Sequence, residues 1–161
     1  MSIPRFLVLV ALAAAAPLAA QQPLQVHGPG GRTVAVTRDQ IASLPGETLK
    51  FAPHHGDSLA YHAVRLTDVL RTAGFPVDSM RVGRQAWVVM GEASDGYVVA
   101  FAAAELDPKL GPSRVWLAYD VGGHALEPTE GPYRLIVPTD ARPTRSARQL
   151  VALRVVDALA H

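Results

Sequence analysis

Apolar positions along the chain come in short runs, cut often by glycine and proline. Leu24 to His27 reads as a strand, Gly28-Pro29-Gly30-Gly31 as a turn, and Arg32 to Val36 as a returning strand with alternating character. Thr37 and Gln40 have the spacing of a capping box, which predicts a short helix over Arg38 to Ser43 stopped by Pro45-Gly46. Thr48 to Ala52 reads as a weak strand. In Leu66 to Ala73 the residues Leu66, Val69, Leu70 and Ala73 fall on one helical face, with Gly74 as the stop and Pro76 beyond. Ala86 to Met90 and Tyr97 to Phe101 are apolar strands joined at Ser94-Asp95-Gly96, which reads as a type I′ hairpin turn. Ala102 to Leu106 suggests one helical turn. Val115 to Tyr119, Tyr133 to Val137 and Gln149 to Val156 complete the strands; in the last, Leu150, Ala152, Arg154 and Val156 alternate against Val151, Leu153 and Val155. Short strands dominate and do not alternate with long helices. The class expected is therefore α+β, with mixed, mostly antiparallel sheets and a few short helices.

The first 20 residues differ from the rest. Arg5 precedes Phe6 to Ala16, an uninterrupted apolar run too short to cross a bilayer, which takes about 20 residues. Small residues follow up to Ala20, so residues 1–20 are expected to be a signal peptide, cleaved near Ala20. Residues 21–161 would form a single periplasmic or secreted domain with no second span. Of 15 basic residues Arg5 lies in this leader, leaving 14 basic against 14 acidic side chains. Such a balance provides no field for nucleic acid or anionic lipid. Cysteine is absent, which excludes disulfides, thiol nucleophiles and thiolate–metal ligation.

Standard site patterns fail. The glycines at 28–31 are not followed by a helix and carry Pro29 where a phosphate-binding amide would be needed. Gly91 to Gly96 is one residue too long for a nucleophile elbow. His54, His55 and His62 fall on different faces of any regular element, so no metal site is assigned. Three segments stand out instead. His54-His55-Gly56 is a loop whose imidazoles are either solvated or donors to a polar ligand. Asp95-Gly96-Tyr97 is a turn that can also present a carboxylate and a ring. Residues 138–148 place Arg142, Arg145 and Arg148 at intervals of three in a proline-rich loop with few acids, alongside Thr139, Thr144 and Ser146. Arginine forks suit phosphate and planar polar ring edges, although a charge run is more often a solvated face.

Taken in order, these segments carry a resemblance. His55-Gly56, Tyr61 through Leu70, Asp95-Gly96-Tyr97, Glu105-Leu106, Gly131-Pro132-Tyr133-Arg134-Leu135-Ile136-Val137-Pro138 and Arg142/Arg145/Arg148 together resemble the molybdopterin-binding domain of sulfite-oxidase-like oxidoreductases, in a short exported form. The resemblance covers nearly all of residues 21–161. It implies the sulfite-oxidase-type fold and a pterin or molybdopterin ligand, with His55, Asp95, Tyr97, Arg142, Arg145 and Arg148 as cofactor-binding candidates. Trp87 and Trp116 could stack on a pterin but sit in apolar strands, where a core role is expected. Catalytic members of the family bind molybdenum through a cysteine, and this chain has none, so molybdenum is not expected and no catalytic residue is assigned. The reading favoured is a non-catalytic, exported pterin-binding protein, with a membrane-bound signalling or redox partner. A molybdenum-cofactor oxidoreductase without a cysteine ligand is one alternative. An interaction module that has lost its ligand is the other.

Overall fold

The computed structural model describes residues 22–52, 57–78, 86–111 and 114–159. Among these residues, ten strands build two sheets. The first sheet contains β1 (Leu24–His27), β2 (Thr33–Val36), β5 (Trp87–Ala93), β6 (Val98–Ala102) and β10 (Leu150–Asp157), in the order β2-β1-β10-β5-β6. The second contains β3 (Gly46–Phe51), β4 (Leu59–Arg65), β7 (Trp116–Val121) and β8 (His124–Ala125), in that order, with β9 (Arg134–Ile136) also paired to β7. β1 runs parallel to β10, and every other strand pair is antiparallel. The described residues also form three short α-helices, α1 (Arg38–Ala42), α2 (Leu66–Thr72) and α3 (Ala103–Leu106), and two 3-10 turns at Pro29–Gly31 and Pro143–Arg145. The expected α+β class with mixed, mostly antiparallel sheets is the class observed.

Local chemistry accounts for the element ends. Thr37 caps α1 through its side chain, which accepts from the Gln40 amide, while the Gln40 side chain accepts from the Thr37 amide. α2 ends in a pair of reversed bonds: Gly74 N–H donates to Arg71 C=O at 2.9 Å and Phe75 N–H to Leu70 C=O at 2.8 Å. This closure needs a left-handed residue, and Gly74 has φ of 84°. Leu70 and Phe75, the two residues it brings together, are both buried in the main core.

Two sequence expectations are corrected. The 94–96 turn is not type I′, because only Gly96 has positive φ, at 85°. Gly96 N–H donates to Ala93 C=O and Ala93 N–H to Tyr97 C=O, so a type I turn is followed by a left-handed glycine. In β10 the register shifts between Leu150 and Ala152 against β5. This bulge puts Leu150 on the same core side as Leu153 and Val155, so the simple alternation expected there breaks. The structure also adds β4 and the two-residue β8.

The larger core lies between the sheets and takes Leu24, Val26, Ile41, Val64, Leu66, Leu70, Val89, Leu117, Leu135 and Leu153, among others. A smaller cluster of Tyr61, Ala63, Trp116, Ala118, Leu126 and Ile136 covers the second sheet's other face. Strands β4, β7 and β9 are therefore apolar on both sides. Leu153 is fully buried in the central strand β10. Leu153→Ala should cost about 2–5 kcal/mol of unfolding free energy, read as a lower urea midpoint at unchanged slope. Tyr133 is also fully buried, and its hydroxyl donates to Gln22 C=O at 3.0 Å. Burial pushes its phenol up from 10.0 to about 12. A folded-state value above the unfolded one stabilises the fold fully below pH 10 and stops doing so as pH rises through about 12. Alkaline titration should therefore remove about 2–3 kcal/mol across that window, and Tyr133→Phe should abolish this component.

Candidate functional site

A cleft of about 250 Å³ opens where the β5–β6 hairpin, strand β9 and the 138–149 loop meet; Asp95, Tyr97, Arg134, Thr144, Ser146 and Arg148 are among its lining residues. Each of these elements is pinned. Asp95 Oδ1 accepts from the Tyr97 amide at 2.9 Å, which closes the hairpin tip and leaves Oδ2 without a bond among the described residues. The Tyr97 hydroxyl donates to Thr144 C=O at 2.8 Å, tying the hairpin to the loop. Leu135 N–H donates to Ala147 C=O at 2.7 Å, and Val137 N–H to Ser146 Oγ at 3.0 Å, so β9 holds the loop from below. Gln149, with φ of 52°, turns the chain into β10; its amide donates to Glu130 C=O at 2.8 Å.

Arg134 forms the inner wall. Its side chain is 3% exposed, and its guanidinium donates to Glu130 Oε2, to the Tyr61 hydroxyl at 3.3 Å and to Ser146 C=O at 3.3 Å. The Phe51 and Tyr61 rings lie 5.2 and 5.5 Å from its central carbon. Burial pushes the Tyr61 phenol up, and the Arg134 charge offsets part of that rise. Arg134 Nε is buried with no hydrogen-bond partner. A buried charge keeps its place only when paired and hydrogen-bonded, and here one donor is left over.

Asp95, Tyr97 and Arg148 are thus brought to one cleft, as the sequence suggested. Arg148 is exposed and has no side-chain partner among the described residues. Arg145 is not a ligand-seeking fork. It makes two bonds to Asp140, at 2.9 and 2.7 Å, and a third to Glu105 at 3.1 Å, and it stacks over Phe101 at 5.0 Å. The Asp140 hydrogen bonds, with both carboxylates nearby, push its pKa up. The loop is therefore not acid-poor in space: Asp140 lies within it, and Glu105 arrives from α3. Arg142 is exposed, precedes the 143–145 turn and does not line the cleft. His55, with His54, lies outside the described residues. The His62 Nδ1 lies 2.9 Å from Asp120 Oδ1. Trp116 is buried in the smaller core cluster and Trp87 packs against the larger one, so neither lines the cleft.

Arg134 and Tyr61 are the site residues that motif reasoning left out. The signal for Arg134 was present: it is the one charge inside the apolar run Tyr133 to Val137, and charges are rarely buried without a purpose.

With this geometry in hand, the fold can be placed. No protein-family model matches the chain, and no curated protein matches it. Among solved structures, the chain is similar to the sulfane dehydrogenase SoxCD from Paracoccus pantotrophus, with a TM-score of 0.63 at 18% identity. The match covers 89% of this chain and 40% of that one, so the chain spans well under half the length of its structural neighbour. At the level of fold, then, the resemblance read from the sequence holds.

The two arginines should separate on substitution. Arg145→Ala should lower stability by about 1 kcal/mol, because Asp140 and Glu105 lose a shared partner that is only part-exposed. Arg148→Ala should change stability by less than about 0.5 kcal/mol. Chemical denaturation of both variants checks this, and equal effects would contradict the assignment.

Proposed function

We propose that this chain is an exported pterin- or molybdopterin-binding protein that carries out no redox reaction of its own and reports to a membrane-bound signalling partner. The observation that carries the binding part is the composition of one cleft, whose lining includes the Arg148 guanidinium and an Asp95 carboxylate oxygen, both without a partner among the described residues, the Tyr97 ring and the buried Arg134. A pterin head is flat, with N–H donors on one edge and a carbonyl and ring nitrogens as acceptors. Asp95 can accept from the donor edge, and Arg148 can donate in plane to the acceptors or to a phosphate tail. Tyr97 has committed its hydroxyl to Thr144, so its ring is what it offers. At about 250 Å³ the cleft lies just below the range of roughly 300–1,000 Å³ typical of drug-sized ligands, which suits a bicyclic head with its tail outside.

A molybdenum centre of the family type does not fit these residues, since the chain has no cysteine to supply a thiolate. No catalytic step is assigned to it. Export rests on the leader read in residues 1–20, and the signalling partner on the resemblance. Fold alone carries no activity, so the ligand decides between this reading and a bare interaction module.

The test is to express the whole chain in a bacterium that makes molybdenum cofactor, recover the exported protein, release its small molecules with acid, and read pterin fluorescence and molybdenum on the same sample. Pterin without molybdenum is expected, and Arg148→Ala should lower affinity for added pterin about tenfold or more. Molybdenum near one per chain would replace this reading with an oxidoreductase. Absence of both, with no affinity for added pterin, would reduce the protein to an interaction module.

A further inference from the structure

The first sheet sends Leu24, Val26, Val89, Phe101, Leu153 and Val155 from its inner face into the larger core. Side chains alternate along a strand, so the residues between these point the other way. Among the described residues no helix lies on that outer face: α1, α2 and α3 bury Ile41, Leu66, Val69, Leu70, Ala103 and Leu106 in the same larger core. A sheet face left to water is ordinarily polar, and this one is largely apolar. Val88 and Met90 of β5, Val98, Ala100 and Ala102 of β6 and Val156 of β10 lie on it side by side, as the strand register sets them. Val98 is 46% exposed, and Ala100 and Ala102 are exposed as well. β6 is also the sheet's edge, with no polar side chain from Val98 to Ala102. Edge strands of soluble proteins are usually guarded by charge or proline, and this one is not.

The polar residues of the face satisfy one another. Arg154, in the central strand β10, donates to Glu92 of β5 through Nε at 2.8 Å and through a second nitrogen at 3.4 Å. His27 Nδ1 lies 2.9 Å from Thr33 Oγ1, and the Gln25 amide reaches Pro23 C=O at 3.5 Å. The face therefore carries one charge of each sign near its middle, with small apolar side chains beside them. A twofold contact demands a self-complementary patch, in which each feature meets its counterpart on the other copy. A twofold axis lying in the interface, midway between Glu92 and Arg154, sets each carboxylate over the other copy's guanidinium, and four charges alternate in sign. A partner of one net charge would repel one member of the pair. A plain apolar partner would desolvate both with nothing in return.

We infer that two copies of this chain associate through the outer face of the first sheet, packed face to face with Glu92 and Arg154 of both copies in one ring of charge. Five strands about 4.8 Å apart, with about five residues of about 3.3 Å each, span roughly 400 Å² in plan. With the relief of the side chains this comes near the lower end of specific contacts, about 600 Å² per partner. A dimer that forms at micromolar concentration is expected.

Sedimentation equilibrium of the exported protein across the micromolar range tests this. The parent should show a reversible monomer–dimer equilibrium. Arg154→Glu and Glu92→Arg should each weaken association about tenfold or more, because like charges then meet across the axis. Mixed in equal amounts, the two variants should pair with each other, since one brings two carboxylates and the other two guanidiniums. That recovery also shows both variants to be folded. Ala100→Arg, which leaves the native pair intact, should weaken association as well. A parent that stays monomeric throughout the range, single variants that dimerise as the parent does, or a mixture that stays monomeric would each overturn the inference. None of these residues lines the cleft over Arg134, so the outcome is independent of the pterin result.

Discussion

The buried guanidinium of Arg134 is the constraint around which the cleft is arranged. Taking a charge out of water costs several kcal/mol unless pairing and hydrogen bonds replace what solvation supplied. Arg134 meets that demand by drawing on four separated pieces of chain: Glu130 before β9, Tyr61 in β4, Ser146 in the loop before β10, and the Phe51 ring at the end of β3. They come from the β3–β4 strand pair, the turn before β9 and the loop before β10, so satisfying one cation sets the relative position of all three. The smaller core cluster forms around the same group, since Tyr61 belongs to it and Phe51 packs on it edge-to-face at 6.2 Å between ring centres.

From that anchor the outer wall follows. Ser146 touches Arg134 through its carbonyl and the Val137 amide through its hydroxyl. With the loop held on β9, Thr144 is in place to accept from Tyr97, and the hairpin tip comes to rest against the loop. The three arginines spaced in threes then divide by environment. Arg145 turns back to Asp140 and Glu105 and stiffens the loop, Arg148 faces the cleft, and Arg142 stays on the outside. Residue type alone could not distinguish them, because the partners that decide each role come from other elements.

How much of this was legible beforehand varies from element to element. The α1 capping box, the Gly74 stop of α2 and the 94–96 hairpin were readable because their causes are local, within four residues. β4 was not, since Tyr61 and Ala63 face one core while Val64 faces the other, and a strand apolar on both sides shows no period of two. β8 has only two residues and leaves no pattern. The β10 bulge shifted parity where no glycine or proline marked it. For the site, Asp95, Tyr97 and Arg148 were recognisable from a turn and a charge run. The pairing of Arg145 with Glu105 spans 40 residues, and its distance in sequence hid it.

The claim at the centre of this account is that the cleft over Arg134 receives a planar heterocycle between the hairpin tip and the loop. Co-crystallising the exported protein with a simple pterin tests it most directly. The ring is expected in that cleft, with its donor edge on Asp95 Oδ2 and its acceptor edge on Arg148. A ring bound elsewhere, or an empty cleft at saturating pterin, would contradict it.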